Sequence, residues 1–306
     1  MIIKTIDSKQ DEMREFSSLL NEKINANQRF QIERELKAIR TGALGEEDAA
    51  YYIDFYFGGS KNWAVIHDLR IEYEGQVAQI DHILLNRMFD IYVIESKNYS
   101  YKITITPEGE FKVYSGSRHY GVPSPIEQNK RHIHLLERFL KAKGILPKRM
   151  GIPISPRVKS FILISPKSII SRPPEKKYDT SVVIKADTLR TKIDDEAEKI
   201  SPAAALGLIG KISSSSTLEK VAQRLVRYHR PHKIDWRGRF GLPAENPSDY
   251  QKEPFQNNRG LGIEDSSKYF CFQCKKDISE KVAKFCFQNR PKFGGKAYCF
   301  DCQKSF

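Results

Sequence analysis

The stretch Gln79-Ile80-Asp81-His82-Ile83-Leu84-Leu85-Asn86, with Ile91-Tyr92-Val93-Ile94-Glu95-Ser96-Lys97-Asn98 after it, constrains this chain more than any other. Both halves read as apolar neighbouring strands, yet Asp81, Glu95 and Lys97 interrupt them. An unpaired charge in a low-dielectric interior costs several kcal/mol even after relaxation, so charges in core strands are paired, metal-bound or catalytic. Residues two apart in a strand share a face, which sends Glu95 and Lys97 to one side and Ile94 and Ser96 to the other. A turn over Asn86 to Asp90 would bring Asp81 beside Glu95. His82 points to the opposite face from Asp81 and reads as a core or supporting histidine.

Two converging carboxylates and a lysine suit a divalent cation with oxygen ligands and an adjacent ammonium, an arrangement fitted to phosphodiester hydrolysis. Mg²⁺ acidifies a bound water and stabilises charge on phosphate, while the lysine orients the water or holds a phosphate oxygen. Read alone, Glu95-Ser96-Lys97 also fits a structural ion pair at a strand end, with Asp81 capping a turn.

The surrounding pattern describes an α/β domain. Met13, Phe16, Leu19, Leu20, Ile24, Leu36 and Ile39 recur at helical spacing over Glu12 to Ile39, predicting one long or broken helix. Thr41-Gly42-Ala43-Leu44-Gly45 is expected to interrupt it, with Glu46-Glu47-Asp48 opening a second helix where acids suit the dipole. Strands are expected over Trp63 to Glu72, Val77 to Leu85, Ile91 to Ser96, Tyr101 to Thr106 and Phe111 to Tyr114, with turns at Glu74-Gly75 and Pro107-Glu108-Gly109. Pro125 opens a helix to about Ala142, and Val158 to Ile164 reads as a strand buried on both faces. Further helices are expected over Asp187 to Lys199, Ala203 to Ile212 and Thr217 to Tyr228.

The 306 residues carry a formal charge of +13, which favours encounter with polyanions and makes nucleic acid the natural partner. No run approaches the roughly 18 apolar residues of a membrane span, and the N-terminal residues lack a signal-peptide pattern. The expected location is the cytoplasm, with no membrane partner.

Gly42-Ala43-Leu44-Gly45-Glu46, Gln79-Ile80-Asp81-His82-Ile83-Leu84, Glu95-Ser96-Lys97-Asn98 and Pro125-Ile126-Glu127-Gln128-Asn129, in that order, resemble the nuclease-related domain, NERD. That family is similar to the restriction-endonuclease-like PD-(D/E)xK superfamily, and the resemblance covers roughly residues 40 to 165. It implies a central mixed sheet flanked by helices, Asp81 and Glu95 as ligands of Mg²⁺ or Mn²⁺, and Lys97 as the catalytic lysine. Glu46 would reach the metal directly or through water, and Gln128 would contact substrate or position the site. No proline precedes Asp81, whose neighbour is Ile80. Without the family, Glu46 is equally an acid placed by the helix dipole, with Glu47 its nearest rival. His132 and His134, beside Lys130 and Arg131, read as a solvated or phosphate-facing surface.

All five cysteines lie in the last 36 residues. Cys271-Phe272-Gln273-Cys274 and Cys299-Phe300-Asp301-Cys302 form two C-x-x-C knuckles separated by 24 residues. Four thiolates around Zn²⁺ make a closed structural site whose binding free energy can fold a small segment. Cys286, without a paired partner, reads as a buried free thiol, though it could replace one ligand. Residues 267 to 306 hold nine Lys or Arg against three Asp or Glu. Arg290, Lys292 and Lys296 near Phe293 and Tyr298 could grip a phosphate backbone and stack an unpaired base.

The expected organisation is an N-terminal helical segment (1–40), a nuclease-like core (41–166), a helical extension (167–236), a linker (237–268) and a zinc finger (269–306). The expected function is metal-dependent nuclease action, on DNA, with the finger aiding binding. Two alternatives stay open: a non-catalytic nucleic-acid-binding protein with the same fold, and a protein-interaction adaptor working through the finger.

Overall fold

The computed structural model describes residues 1–99, 101–116, 118–199, 212–231, 233–243, 269–274, 277–278, 280–289, 293 and 296–303. The chain divides into two compact units, Met1–Ala244 and Glu245–Phe306. Among the described residues no helix is long and apolar enough to cross a membrane.

The first unit begins with strand β1 (Ile2–Lys4) and helices α1 (Gln10–Asn21) and α2 (Ala26–Ile53). β2 (Trp63–Tyr73), β3 (Gln76–Asn86) and β4 (Asp90–Lys97) follow as an antiparallel meander. The β2–β3 turn is the expected Glu74-Gly75 pair, with φ of 49° and 72°, the double left-handed geometry of a two-residue hairpin. β5 (Lys102–Ile105), β6 (Phe111–Ser115) and β7 (Arg118–Val122) lead to α3 (Pro125–Ala142). Then come a small hairpin of β8 (Lys148–Arg149) and β9 (Ile152–Pro153), the strands β10 (Arg157–Ile164), β11 (Ile169–Ser171) and β12 (Val183–Lys185), and α4 (Leu189–Glu198). A helix over Ser215–Val226 completes the layers. The helix expected over 203–212 falls almost wholly outside the described residues.

The central sheet is mixed, in the order β1-β2-β3-β4-β10-β12, with β10 parallel to β4 and to β12. One face packs on α3 and the Ser215–Val226 helix through Ile66, Ile83, Val93, Leu136, Phe139 and Leu225. The other packs on α2 and α4 through Val65, Leu84, Ile94, Ile53 and Leu189. The smaller sheet β11-β5-β6-β7 joins the core through Ile103, Phe111, Ile162 and Val183. Buried Asp90 fixes the β4–β10 register, because the Arg157 guanidinium opposite donates to both its oxygens at 2.6 Å. At the N-terminal side Phe16, Leu19, Ile32 and Leu36 bury Trp236 and Phe240, so the chain is still packed at residue 240.

The expected break at Thr41–Gly45 is absent. α2 runs unbroken through both glycines, and Glu46 sits in its interior rather than in the first turn of a second helix. Gly45 serves close approach: a Cβ there would lie 2.5 Å from the Asn98 Cβ. Asn98, just past β4, also donates from Nδ2 to the Thr41 carbonyl at 3.2 Å, so the helix rests on the strand end that carries Glu95 and Lys97.

Gly45→Ala should push α2 off that strand end, because overpacking a close contact costs about 1–3 kcal/mol. Thermal unfolding is expected to fall by several degrees for Gly45→Ala, whereas Gly42→Ala, which meets nothing within 4 Å, should leave it unchanged or raise it.

Candidate functional site

The site is built where β3 and β4 part. Their ladder ends at His82 opposite Ile94, and from there Ser96 donates from its backbone N–H and its hydroxyl to Asp81 Oδ2, both at 2.8 Å. Asp81 thus replaces strand pairing with its own carboxylate. On its other side Asp81 faces Asp68 of β2, and this pair drops out of the β2–β3 ladder. The core-facing residues change phase there, from Ala64 and Ile66 to Leu69 and Ile71 on β2, and from Ala78 and Ile80 to Ile83 and Leu85 on β3. Asp68, at φ 52°, holds the left-handed turn of the backbone that makes the change possible. Its carboxylate accepts from the Gln79 side chain and from the Asp7 N–H.

Glu95 is buried, 2% exposed. Its Oε1 accepts from Lys97 Nζ at 2.5 Å and from Gln128 Nε2 at 2.7 Å. Its Oε2 is buried without a hydrogen-bond partner, and His132 Nδ1, equally unpartnered, lies 3.6 Å away. His132 thus turns Nδ1 toward Glu95, one helical turn after Gln128 on α3, while it also borders the depression of Lys130, Arg131 and His134 expected for it. His134 stays exposed. α3 itself is held by Asn129, fully buried, whose Nδ2 donates to the Val93 carbonyl at 2.9 Å and to Ser160 Oγ at 2.8 Å.

Glu46 reaches the same space from α2. Glu46, Asp81, Glu95, Lys97 and Gln128 all line one cavity of about 670 Å³. Burial, then the charges of Asp81 and Asp68, lift the Glu46 carboxyl to about 7. Burial and Asp81 lift Glu95 to about 8 against the pull of Lys97. Asp81 is raised too, by burial, despite its bonds from Ser96 and the nearby Lys97. Of the cations that line this cavity, Lys97 bonds to a carboxylate while Arg34 and Lys37 stand farther along α2, and one buried carboxylate oxygen is left without a donor. That donor set fits a divalent cation with oxygen ligands.

His82 is wholly buried and lies away from this cavity. Its Nδ1 meets His67 Nδ1 at 2.7 Å, and His67 Nε2 meets Asp54 Oδ1 at 3.0 Å. With His67 donating to Asp54, His82 donates to His67, which leaves His82 Nε2 the unpartnered acceptor that the structure records. Lys130 and Arg131 do not line the cavity. They border a separate depression with Val77 and His134, where Lys130 pairs with Glu127 at 2.7 Å.

In the second unit, Cys271, Cys274, Cys299 and Cys302 bring one sulfur each to within 4.8 Å of every other, a cluster that could hold zinc. Burial opposes ionisation of Cys271, but the backbone N–H groups of Cys274, Cys299 and Gln273, with the Cys274 thiol, outweigh it and bring the thiol down to about 6. Cys286 lies outside the cluster. Its buried sulfur accepts from the Tyr298 N–H at 3.4 Å and from Gln303 Nε2 at 3.2 Å. Lys296 sits over the Phe272 ring, 3.9 Å from its centre. Arg290 and Lys292 lie outside the described residues.

The family model of the nuclease-related domain, NERD, matches residues 41–165. No curated protein matches the chain, and no solved structure does. Asp68, Asn129 and His132 are the site's residues that sequence reasoning missed or misplaced. The shift in apolar alternation after Asp68 was the readable signal for the first, while nothing in the sequence separates Asn129 from an ordinary polar helix residue.

A carboxyl raised in the folded state binds more protons there than in the unfolded chain, so the stability of the metal-free protein should fall as pH rises from about 4.5 to about 8. Glu95→Gln should flatten that slope and gain about 2 kcal/mol above pH 8 while changing little at pH 5, measured by denaturant unfolding in chelator. Elemental analysis of the purified chain should find one zinc per protein, reduced to a substoichiometric level in Cys274→Ser. A wild-type protein free of zinc would overturn the four-thiolate assignment.

Proposed function

We propose that this protein is a metal-dependent nuclease that hydrolyses phosphodiester bonds in DNA, acting in the cytoplasm. The observation that carries the proposal is the under-neutralised acid cluster: Glu46, Asp81 and Glu95 share one cavity with Lys97 and Gln128, and Glu95 Oε2 has no donor. The match to a nuclease-related domain supports the same reading.

Asp81 and Glu95 would hold Mg²⁺ or Mn²⁺, with Glu46 reaching it directly or through water, and the bound ion would supply an acidified water and charge stabilisation at phosphate. The chain's own residues do the rest. Ser96 fixes Asp81 through two bonds to one oxygen, leaving Asp81 Oδ1 to the cavity. Gln128 and Lys97 fix Glu95 through Oε1, which leaves the buried Oε2 without a donor, 3.6 Å from His132 Nδ1. Lys97, an ammonium beside the reacting phosphate, would donate hydrogen bonds to the attacking water or to a phosphate oxygen as the water oxygen bonds phosphorus and gives its proton to solvent, and one ester oxygen leaves and is protonated from solvent. The cysteine unit would aid nucleic-acid binding, with Lys296 and Phe272 presenting a cation and a ring together.

The full-length protein should cleave at least one of linear duplex, single-stranded or branched DNA, or RNA, with Mg²⁺ or Mn²⁺. Asp81→Ala and Lys97→Ala should each lower the rate by about 100-fold or more. A wild type that cuts none of them, or variants that cut as well as it does, would sink the reading.

A further inference from the structure

The two walls of the cavity differ in kind. One is α2, whose residues Arg34, Lys37, Thr41, Gly42 and Glu46 line it in succession along one helical face. The order runs from cations at the outer end, through small residues, to the acid at the inner end. Arg34 and Lys37 are exposed, and neither is in an ion pair among the described residues. The lining outside α2 includes Tyr99, just past β4 and partly packed on the Ile103 and Phe111 cluster, and Tyr120. Tyr120, on edge strand β7, is 56% exposed and makes no ring contact among the described residues. Tyr99 lies near both Glu95 and Tyr120, since both act on its hydroxyl.

Each wall suits a different part of a nucleic acid. Phosphates meet cations, and bases stack on aromatic rings. A duplex offers phosphates to both sides of a cleft and hides its base faces in its own stack. An unpaired strand offers phosphates on one side and base faces on the other. Resting on the nuclease reading, we infer that the substrate enters this cleft as an unpaired strand, its phosphates along Arg34 and Lys37 and its bases against Tyr99 and Tyr120.

α2 sets the length of the track. At 1.5 Å per residue, Lys37 and Arg34 stand about 13 and 18 Å along the axis from Glu46. With stacked nucleotides about 3.4 Å apart, the cations contact phosphates up to about five nucleotides from the scissile bond. The chemistry is shared by DNA and RNA strands, so both belong in the test.

Fluorescence anisotropy on the zinc-loaded full-length protein without added Mg²⁺ or Mn²⁺, where nothing is cut, reads the proposal directly. The probes are a labelled 20-nucleotide DNA strand, the same sequence in RNA, the blunt DNA duplex and a duplex with a single-stranded overhang. A strand and an overhang should bind at least about tenfold tighter than the blunt duplex, and the tighter of the DNA and RNA strands assigns the sugar. Arg34→Gln combined with Lys37→Gln should reduce the slope of log affinity against log salt by about 1.4, two phosphates at about 0.7 each. Tyr120→Ala should weaken strand binding by about 5- to 100-fold and Tyr120→Phe should restore it, since stacking needs the ring and not the hydroxyl. Equal affinity for blunt duplex and strand, or strand binding that neither the double variant nor Tyr120→Ala changes, would overturn the inference. A protein that cleaves while binding this way loses only this inference, whereas one that binds strands as stated but cuts no substrate loses the nuclease reading.

Discussion

Three acids, Glu46, Asp81 and Glu95, line a cavity in which Lys97 is the ammonium bonded to one of them, Arg34 and Lys37 standing farther out along α2, and the surrounding structure is arranged around that acidic floor. With all four groups ionised the local charge is about −2, and Asp68 adds to the field felt by Glu46 and Asp81. Water does not reach Glu95 well enough to screen it, which is why its carboxyl and that of Glu46 hold protons near neutrality. A divalent cation is the matching countercharge. On the proposed nuclease reading, the local destabilisation of the metal-free state would be offset by a preorganised set of oxygen donors.

Holding the acids in place falls to groups with no part in the chemistry. Gly45 lets α2 lie against Asn98, which sets Glu46 over the strand end. Asn129 ties α3 to the backbone of β4 and to Ser160 of β10, and so aims its neighbours on that helix, Gln128 and His132, at Glu95. Arg157 and Asp90 lock the parallel register between β4 and β10 at the far end of the same strand. Each of these contacts joins segments distant in sequence. The positions of the carboxylates therefore depend on the whole first unit and not on a loop.

Much of this was readable before any coordinates. Period-two alternation and turn residues located β2, β3 and β4 within a residue or two, and strand geometry alone put Glu95 and Lys97 on one face. The paired C-x-x-C spacing marked the sulfur cluster. What stayed hidden was set by tertiary contact. Gly42 and Gly45 look like a helix break by propensity, but the cost of glycine in a helix is about 1 kcal/mol and a close approach to Asn98 outweighs it. β12 is three residues long and gains its place only by pairing with β10, so no window of sequence could show it. His132 does border the surface depression of Lys130 and Arg131, but its approach to Glu95 was hidden because helical phase, not adjacency, sets it.

The choice of an amide at position 128 follows from the same imbalance. A second lysine there could also donate to Glu95 Oε1, and it would pair the acid more strongly. It would also bring the local charge to about −1 and hold the carboxylate against a competing cation, raising the cost of metal entry. Gln128 satisfies the oxygen without adding charge, so Lys97 remains the one ammonium among the residues bonded to Glu95. The chain's surplus of +13 is then kept off this oxygen. Part of it appears at the outer end of α2 as Arg34 and Lys37, where it can draw a polyanion toward an acidic floor without neutralising that floor. On the proposed reading, separating attraction at the rim from negative charge at the base would let one cleft suit both a metal ion and a phosphate backbone.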